Sequence, residues 1–220
     1  MSPLLEADRL YRFFHAGEDE VLALRGVSLA VDGGEMVAVL GPSGSGKSTL
    51  LACLAGLDEP QGGTVRVAGQ RLTRTPEARR AALRARSVGV LFQSANLVEH
   101  LSVAGNVALA QRLAGSRDRA RVDGLLDRLG IGQRAGAYPS QLSGGESVRA
   151  GLAVALANDP ALVLADEPTG EVDSATEAEV IGLLRDTAAA GRAVVVSSHS
   201  AAVAAAADRT IRLLDGKVAA

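Results

Sequence analysis

Apolar residues along this 220-residue chain fall into two alternating rhythms. Short apolar runs read as strands, and stretches with apolar residues three and four apart read as helices. "GVSLAVDGGEMVAVLGP" (26–42) gives a polar-interrupted strand, a Gly-Gly turn and the strand "MVAVL" (36–40). The spacing then predicts a helix from about Lys47 to Leu57. "GGTVRVAGQRL" (62–72) alternates like an exposed hairpin strand, and "SVGVLFQ" (87–93) is another short strand. Between about 95 and 157, "NVALAQRLAG" and "RARVDGLLDRLGI" have helical spacing with no convincing strand between them. Strands return in "ALVLADEP" (161–168) and "AVVVSSHS" (193–200). They enclose the helix "SATEAEVIGLLRDTAAAG", expected to be capped by Ser174 with Glu177 three places on and stopped by Gly191. The alanine-rich run 201–207 reads as one face of a packed helix, and "RTIRLLDGKVAA" as a final hairpin.

Strands alternating with helices mark an α/β domain. The expected division is a core over about 1–93 and 158–220, split by a helical subdomain over about 94–157. Composition adds that 47% of residues are hydrophobic but only 2% aromatic, so the core must be packed mainly from Ala, Val and Leu. A net charge of −2 argues against nucleic acid as the main partner. The arginines of "EARRAALRARS" (77–87) then belong to a solvated helix face. Cys53 is the only cysteine, which excludes an intrachain disulfide, and in "LLACLAGL" it reads as a small buried apolar residue. The N-terminal stretch lacks the basic start and apolar run of a signal peptide. No apolar run approaches the ~18–20 residues that span a bilayer. If the protein acts at a membrane, another chain is expected to do the crossing.

The chemistry begins at "GPSGSGKST" (41–49), which fits Gly-x-x-x-x-Gly-Lys-Ser/Thr between an apolar strand and a helix. Gly41, Pro42, Ser43, Gly44, Ser45 and Gly46 form a loop whose backbone N–H groups can face phosphates. Lys47 can bridge the β and γ phosphates, the Ser48 hydroxyl can ligate Mg²⁺, and Thr49 completes the motif. Lys47 and Lys217 are the only lysines, so one of two compact ammonium groups sits in this loop. In "LVLADEP" a buried strand ends at Asp166, suited to the Mg²⁺ shell, and Glu167 is suited to polarise an attacking water. Gln93, ending "VLFQ", could reach a metal or a water. His199, ending "VVVSSH", could hydrogen-bond a γ-phosphate, although a histidine at a strand end is more often structural.

"QLSGGESVRAGLAVAL" (141–156) looks like a second anion-binding helix start. Ser143 and Glu146 make a Ser-x-x-Glu capping box, and Gly144 and Gly145 allow close approach to the backbone. Unpaired N–H groups and the positive dipole end favour a phosphate there.

In this order, "GPSGSGKST", "FQ", "LSGGE", "LADEP", "EVDS" and "SSH" resemble the nucleotide-binding subunits of ABC transporters, over essentially the whole chain. The resemblance implies a P-loop NTPase (RecA-like) α/β core with an antiparallel β subdomain and an inserted α-helical subdomain. It implies ATP and Mg²⁺ as ligands and two subunits closing head to tail around two ATP molecules. Ser143, Gly144, Gly145 and Glu146 of one subunit would then meet the nucleotide on the P-loop of the other. Glu167 becomes the catalytic base, His199 a γ-phosphate contact, Gln93 a sensor, and Asp173 a residue of cross-dimer communication. An aromatic residue stacks on adenine: Phe14 by its spacing to "LRGVSL", with Tyr11 and Phe13 as alternatives.

The stretch from "AGEDEVLALRG" to "GGTV", with "LVLADEPTG", looks like the branch of lipoprotein-releasing and macrolide-exporting ATPases. The expected partner is a transmembrane permease or a mechanotransmission protein on a separate chain. That would place this subunit on the cytoplasmic face of the membrane. The alternative is a slow-hydrolysing switch that regulates a membrane-linked cell-wall enzyme. Several positions depart from the family pattern: Ser147-Val148-Arg149 after "LSGGE", Val154, Ser200 after the histidine, and Gly105 before Asn106-Val107. They are expected to bear on how the helical segment is braced.

Overall fold

The computed structural model describes residues 3–16, 19–93, 96–170 and 172–219, with residues 15, 16, 19 and 20 described by backbone alone. In chain order the first elements are β1 (Leu5–Ala16), β2 (Asp19–Val31), β3 (Met36–Leu40), α1 (Lys47–Leu54), β4 (Gly62–Val67) and β5 (Gln70–Arg71). Next come α2 (Glu77–Ser87), β6 (Val88–Leu91), α3 (Val103–Leu113), α4 (Arg119–Arg128) and α5 (Gly144–Leu156). The chain closes with β7 (Leu162–Asp166), α6 (Ser174–Ala189), β8 (Ala193–Ser198), α7 (Ala201–Ala206), β9 (Arg209–Leu214) and β10 (Lys217–Val218). Two sheets result: an antiparallel one in the order β2-β1-β4-β5, and a larger one in the order β10-β9-β3-β8-β7-β6. In the larger sheet β9, β3, β8, β7 and β6 run parallel, and β10 folds back antiparallel on β9.

A parallel sheet buries both faces, and its strands sort their side chains between two cores. Met36, Ala38, Val163, Ala165, Val194 and Val196 point into one cluster, which continues through α3, α4, α5 and α6. Val37, Val39, Leu162, Leu164 and Val195 point into the other, shared with α1 and the antiparallel sheet. The helices between 103 and 156 therefore pack on the same apolar cluster as the sheet rather than around one of their own. Short side chains fill both clusters, as the scarcity of aromatic residues required. The exposed face of α2 matches the solvated arginine helix, since none of its residues is buried.

Four local readings need correction. The long strand β1 was not anticipated. Leu5, Ala7 and Leu10 are buried, but Arg9 sits at φ +46 in a bulge, which breaks the period-two pattern. Helix α1 ends at Leu54, not Leu57, because Gly56 turns left-handed at φ +66 and the amides of Leu57 and Asp58 both donate to the Ala52 carbonyl. Strand β6 stops at Leu91, short of Gln93; the Asn96 side chain accepts from the Phe92 amide at 2.9 Å and so ends the ladder. Helix α6 is capped by Asp173, not Ser174. The Asp173 carboxylate accepts from the amides of Ala175 and Thr176 at 3.0 Å, while Glu177 turns away to accept from the Ser200 hydroxyl at 2.6 Å.

The start of α5 is built as the capping box required. Ser143 Oγ accepts from the Glu146 amide at 3.2 Å, and Glu146 Oε2 accepts from the Ser143 amide at 2.8 Å. Arg134 Nε donates to the other carboxylate oxygen at 2.8 Å. The amide of Ser143 first, and then Arg134, pull the Glu146 pKa from 4.5 to about 2. A depressed carboxylate pKa stabilises the fold above the ordinary value, and that contribution is lost as pH falls toward the folded one. The hydrogen-exchange protection factor at the first turn of α5, corrected for the intrinsic rate at each pH, should therefore hold down to about pH 4.5 and fall between there and pH 2. Glu146→Gln should flatten that profile. Cys53 is fully buried, and burial, reinforced by the nearby Asp58 carboxylate, pushes its thiol up to about 12. Iodoacetamide at neutral pH should label it only after denaturant is added, because the thiolate is the reactive species.

Candidate functional site

Parallel strands of an open α/β sheet present their carboxyl ends together, and ligands gather there. Strand β8 lies between β3 and β7, with Leu40 paired to Ser198 and Asp166 paired to Ser197. The segments after the three strands carry "GPSGSGKST", Glu167 and His199, so distant parts of the sequence meet at one cleft of about 830 Å³. Gly41, Pro42, Ser43, Gly44, Gly46, Lys47, Ser48 and Thr49 line it on one side. Gln93, Glu167 and His199 line the other, and Phe14 closes one end.

The loop before α1 is shaped for an anion. Gly46 caps the helix at φ +101, and a Cβ there would sit 2.5 Å from the Ala23 carbonyl, so only glycine fits. No side chain caps α1, which leaves its first amides available. Lys47 is held inside the loop, its ammonium donating to the carbonyls of Gly41 at 2.8 Å and Pro42 at 3.2 Å. Ser45 Oγ is buried without a hydrogen-bond partner, and Ser45 is the one residue of 41–49 that does not line the cleft.

Asp166 ends β7 behind the residues that line the cleft and accepts a hydrogen bond from the Ser197 hydroxyl. Glu167 follows at φ +47, a left-handed conformation that costs a non-glycine residue about 1–3 kcal/mol. Its amide donates to the Ser197 carbonyl at 3.0 Å and lies 3.3 Å from the Ser197 hydroxyl, which holds the turn. The carboxylate then reaches both neighbours: Oε2 is 3.0 Å from His199 Nδ1, and Oε1 is 3.6 Å from Lys47 Nζ. Lys47, Glu167 and His199 are thus a contact cluster. No group of three or more acidic, histidine or cysteine side chains among the described residues could hold a metal unaided. The oxygen donors Ser48, Asp166 and Gln93 include one carboxylate. That set suits Mg²⁺, which keeps waters and takes phosphate oxygens rather than a full protein cage.

Of the aromatic candidates, Phe14 is the one in the cleft; Tyr11 and Phe13 line a separate recess with Gln61 and Gly62. Ser143, Gly144, Gly145, Glu146 and Asp173 do not line the cleft. They lie beside one another. A Cβ on Gly145 would come within 2.6 Å of Thr176 Cγ2, and the Thr176 hydroxyl donates to Asp173 at 2.9 Å. Of the departures from the family pattern, Ser147 and Arg149 adjoin this cluster on α5, while the two valines turn inward. Val148 is buried and Val154 packs on the first apolar cluster, so both act as core residues. Asn106 is buried and bonded to Val98 and to the carbonyls of Leu101 and Ser102, which fixes the loop before α3.

Two parts of the site were missed from sequence. Ser197 touches both Asp166 and Glu167, and its signal was available: a buried polar residue ends an otherwise apolar strand. The turn at Asp215-Gly216 also lines the cleft, and the Gly216 amide donates to the Ser45 carbonyl at 3.0 Å. That contact depends on pairing between β3 and β9, far apart in sequence, and leaves no local trace.

The family described as "ABC transporter" matches residues 24–170. "Macrolide export ATP-binding/permease protein MacB 1" of Yersinia pestis bv. Antiqua (strain Antiqua) is 43% identical over 223 aligned residues, covering 100% of this chain and 34% of the relative. The protein of the same name from Aeromonas hydrophila subsp. hydrophila is 45% identical, covering 99% of this chain and 34% of the relative. The chain therefore spans about a third of the length of these relatives, whose name falls in the macrolide-exporting branch. The dimeric structure of MJ0796, a bacterial ABC transporter cassette, superposes with a TM-score of 0.90 at 33% identity, covering 98% of this chain and 97% of that one. The same cassette in a post-hydrolysis state bound to ADP and Pi superposes equally well. With the P-loop cleft, the α/β core and these likenesses in agreement, the chain belongs to the ABC transporter family.

Proposed function

We propose that this protein is a Mg²⁺-dependent ATPase that closes head to tail on a second copy around two ATP molecules and drives a separate membrane protein. The observation that carries this reading is the position of the second anion site. The capped start of α5, with Asp173 beside it, lies outside the chain's own cleft, so a second copy is needed to bring it to a nucleotide. The dimeric MJ0796 cassette supports the same assembly.

Within that assembly the P-loop and Lys47 bind the phosphates, and Phe14 stacks on adenine. Ser48, Asp166 and Gln93 hold Mg²⁺, which supplies charge neutralisation on the phosphates. Glu167 orients and deprotonates the water. Its carboxylate already sits between an ammonium and an imidazole, so its direction is set before the ligand arrives. His199 contacts the γ-phosphate, and Ser143, Gly144, Gly145, Glu146 and Asp173 act on the partner's nucleotide. Residues of about 94–157 act as the helical subdomain that transmits closure. No helix among the described residues is long and apolar enough to cross a membrane. The permease in the name of the MacB relatives supports a membrane-spanning partner, with this ATPase at its cytoplasmic face.

Glu167→Gln tests the chemistry. Turnover should fall by about 10²–10⁴-fold while ATP binding persists, as expected when a general base is removed. The variant should accumulate as an ATP-bound dimer in light scattering. Wild-type turnover no faster than the variant's, with the membrane partner present, would leave only the switch reading. Gly145→Ala tests the assembly: the added methyl group presses on Thr176 and should weaken ATP-driven dimerisation at least tenfold without weakening ATP binding by the monomer.

A further inference from the structure

Phe14 lines the cleft, and one face of its ring is already occupied. The guanidinium carbon of Arg12 lies 4.2 Å from the ring centroid, and Arg12 itself does not line the cleft, so the ring stands between the cation and the ligand space. The cation is held in place. Arg12 Nε donates to Asp58 at 2.7 Å and Nη1 donates to the Phe13 carbonyl at 3.0 Å, and the Arg12 side chain is only 18% exposed. Asp58 sits just past the end of α1, its amide tied to the Ala52 carbonyl at 3.1 Å. One end of α1 therefore anchors the ring's support, and the other end receives the phosphates.

We propose that Arg12 is a positioning residue for the base half of the nucleotide site, fixing Phe14 as a preformed plate for a purine ring. This inference rests on the reading of the cleft as a nucleotide site. Two physical effects act together. A ring already packed against a held guanidinium on one face has less rotamer freedom to lose when the base arrives on the other, so part of the ordering cost is met by the fold. Stacked rings present like-signed faces to each other, and a cation behind one ring draws its electron density away from the other. Asp58 balances the guanidinium charge, so the effect falls on the base and not on the phosphates.

The test compares Mg-ATP with Mg-tripolyphosphate, which lacks the base, by titration calorimetry on the whole chain. Arg12→Met keeps the stem and removes the cation. It should weaken ATP about three- to tenfold and leave tripolyphosphate unchanged. The loss should appear in KM for ATP rather than in kcat, and Arg12→Lys should recover part of it. In a Phe14→Ala background the same substitution should cost nothing further, since Arg12 acts through the ring. Equal losses on both ligands, or full additivity with Phe14→Ala, would overturn the role of Arg12 alone. A Phe14→Ala variant that binds ATP as tightly as wild type would overturn the stack and this proposal with it. Wild-type protein that binds neither ligand would instead overturn the nucleotide reading itself.

Discussion

Strands β3, β8 and β7 run parallel and adjacent, and both the core and the cleft follow from that pairing. Two-faced burial forces their side chains into two apolar clusters, which recruit helices on one side and the antiparallel sheet on the other. The same register brings three carboxyl ends to one line. A slip of one residue would exchange the two clusters and carry Asp166 away from Ser197. Stability and chemistry are therefore fixed by one set of backbone hydrogen bonds.

Electrostatics then finishes what the pairing begins. Lys47 is enclosed by carbonyls that point its ammonium, and Glu167 is set between it and His199. None of these groups is near another in sequence. Each closely follows a rigid strand, Glu167 and His199 on short loops and Lys47 on the first turn of α1, the arrangement that lets a scaffold hold side chains with little freedom. The capped start of α5 is equally ordered but lies outside the cleft, so the proposed phosphate contacts divide between two surfaces.

Much of this was legible in the chain itself. The P-loop glycines, the apolar runs before Asp166 and His199, and the Ser-x-x-Glu box each carry a local signal with a physical cause. What stayed hidden depends on distant contacts. The bulge at Arg9 erased the alternation that would have marked β1. Asp173 displaced Ser174 as the cap of α6, and the reason lies 23 residues away, where Ser200 draws off Glu177. Val148 and Val154 were expected to bear on how the helical segment is braced, and packing gives that its form: Val148 lies in the apolar cluster and Val154 against it.

The backbone at Glu167 has a consequence of its own. Its positive φ would suit glycine, and the role proposed for it requires a carboxylate, so on that proposal folding and chemistry select different residues at one position. A variant with glycine there would relax the turn and gain thermal stability while losing its reactive group. Screens for robustness alone would drift toward such inactive forms, and position 167 is where that drift would first be seen.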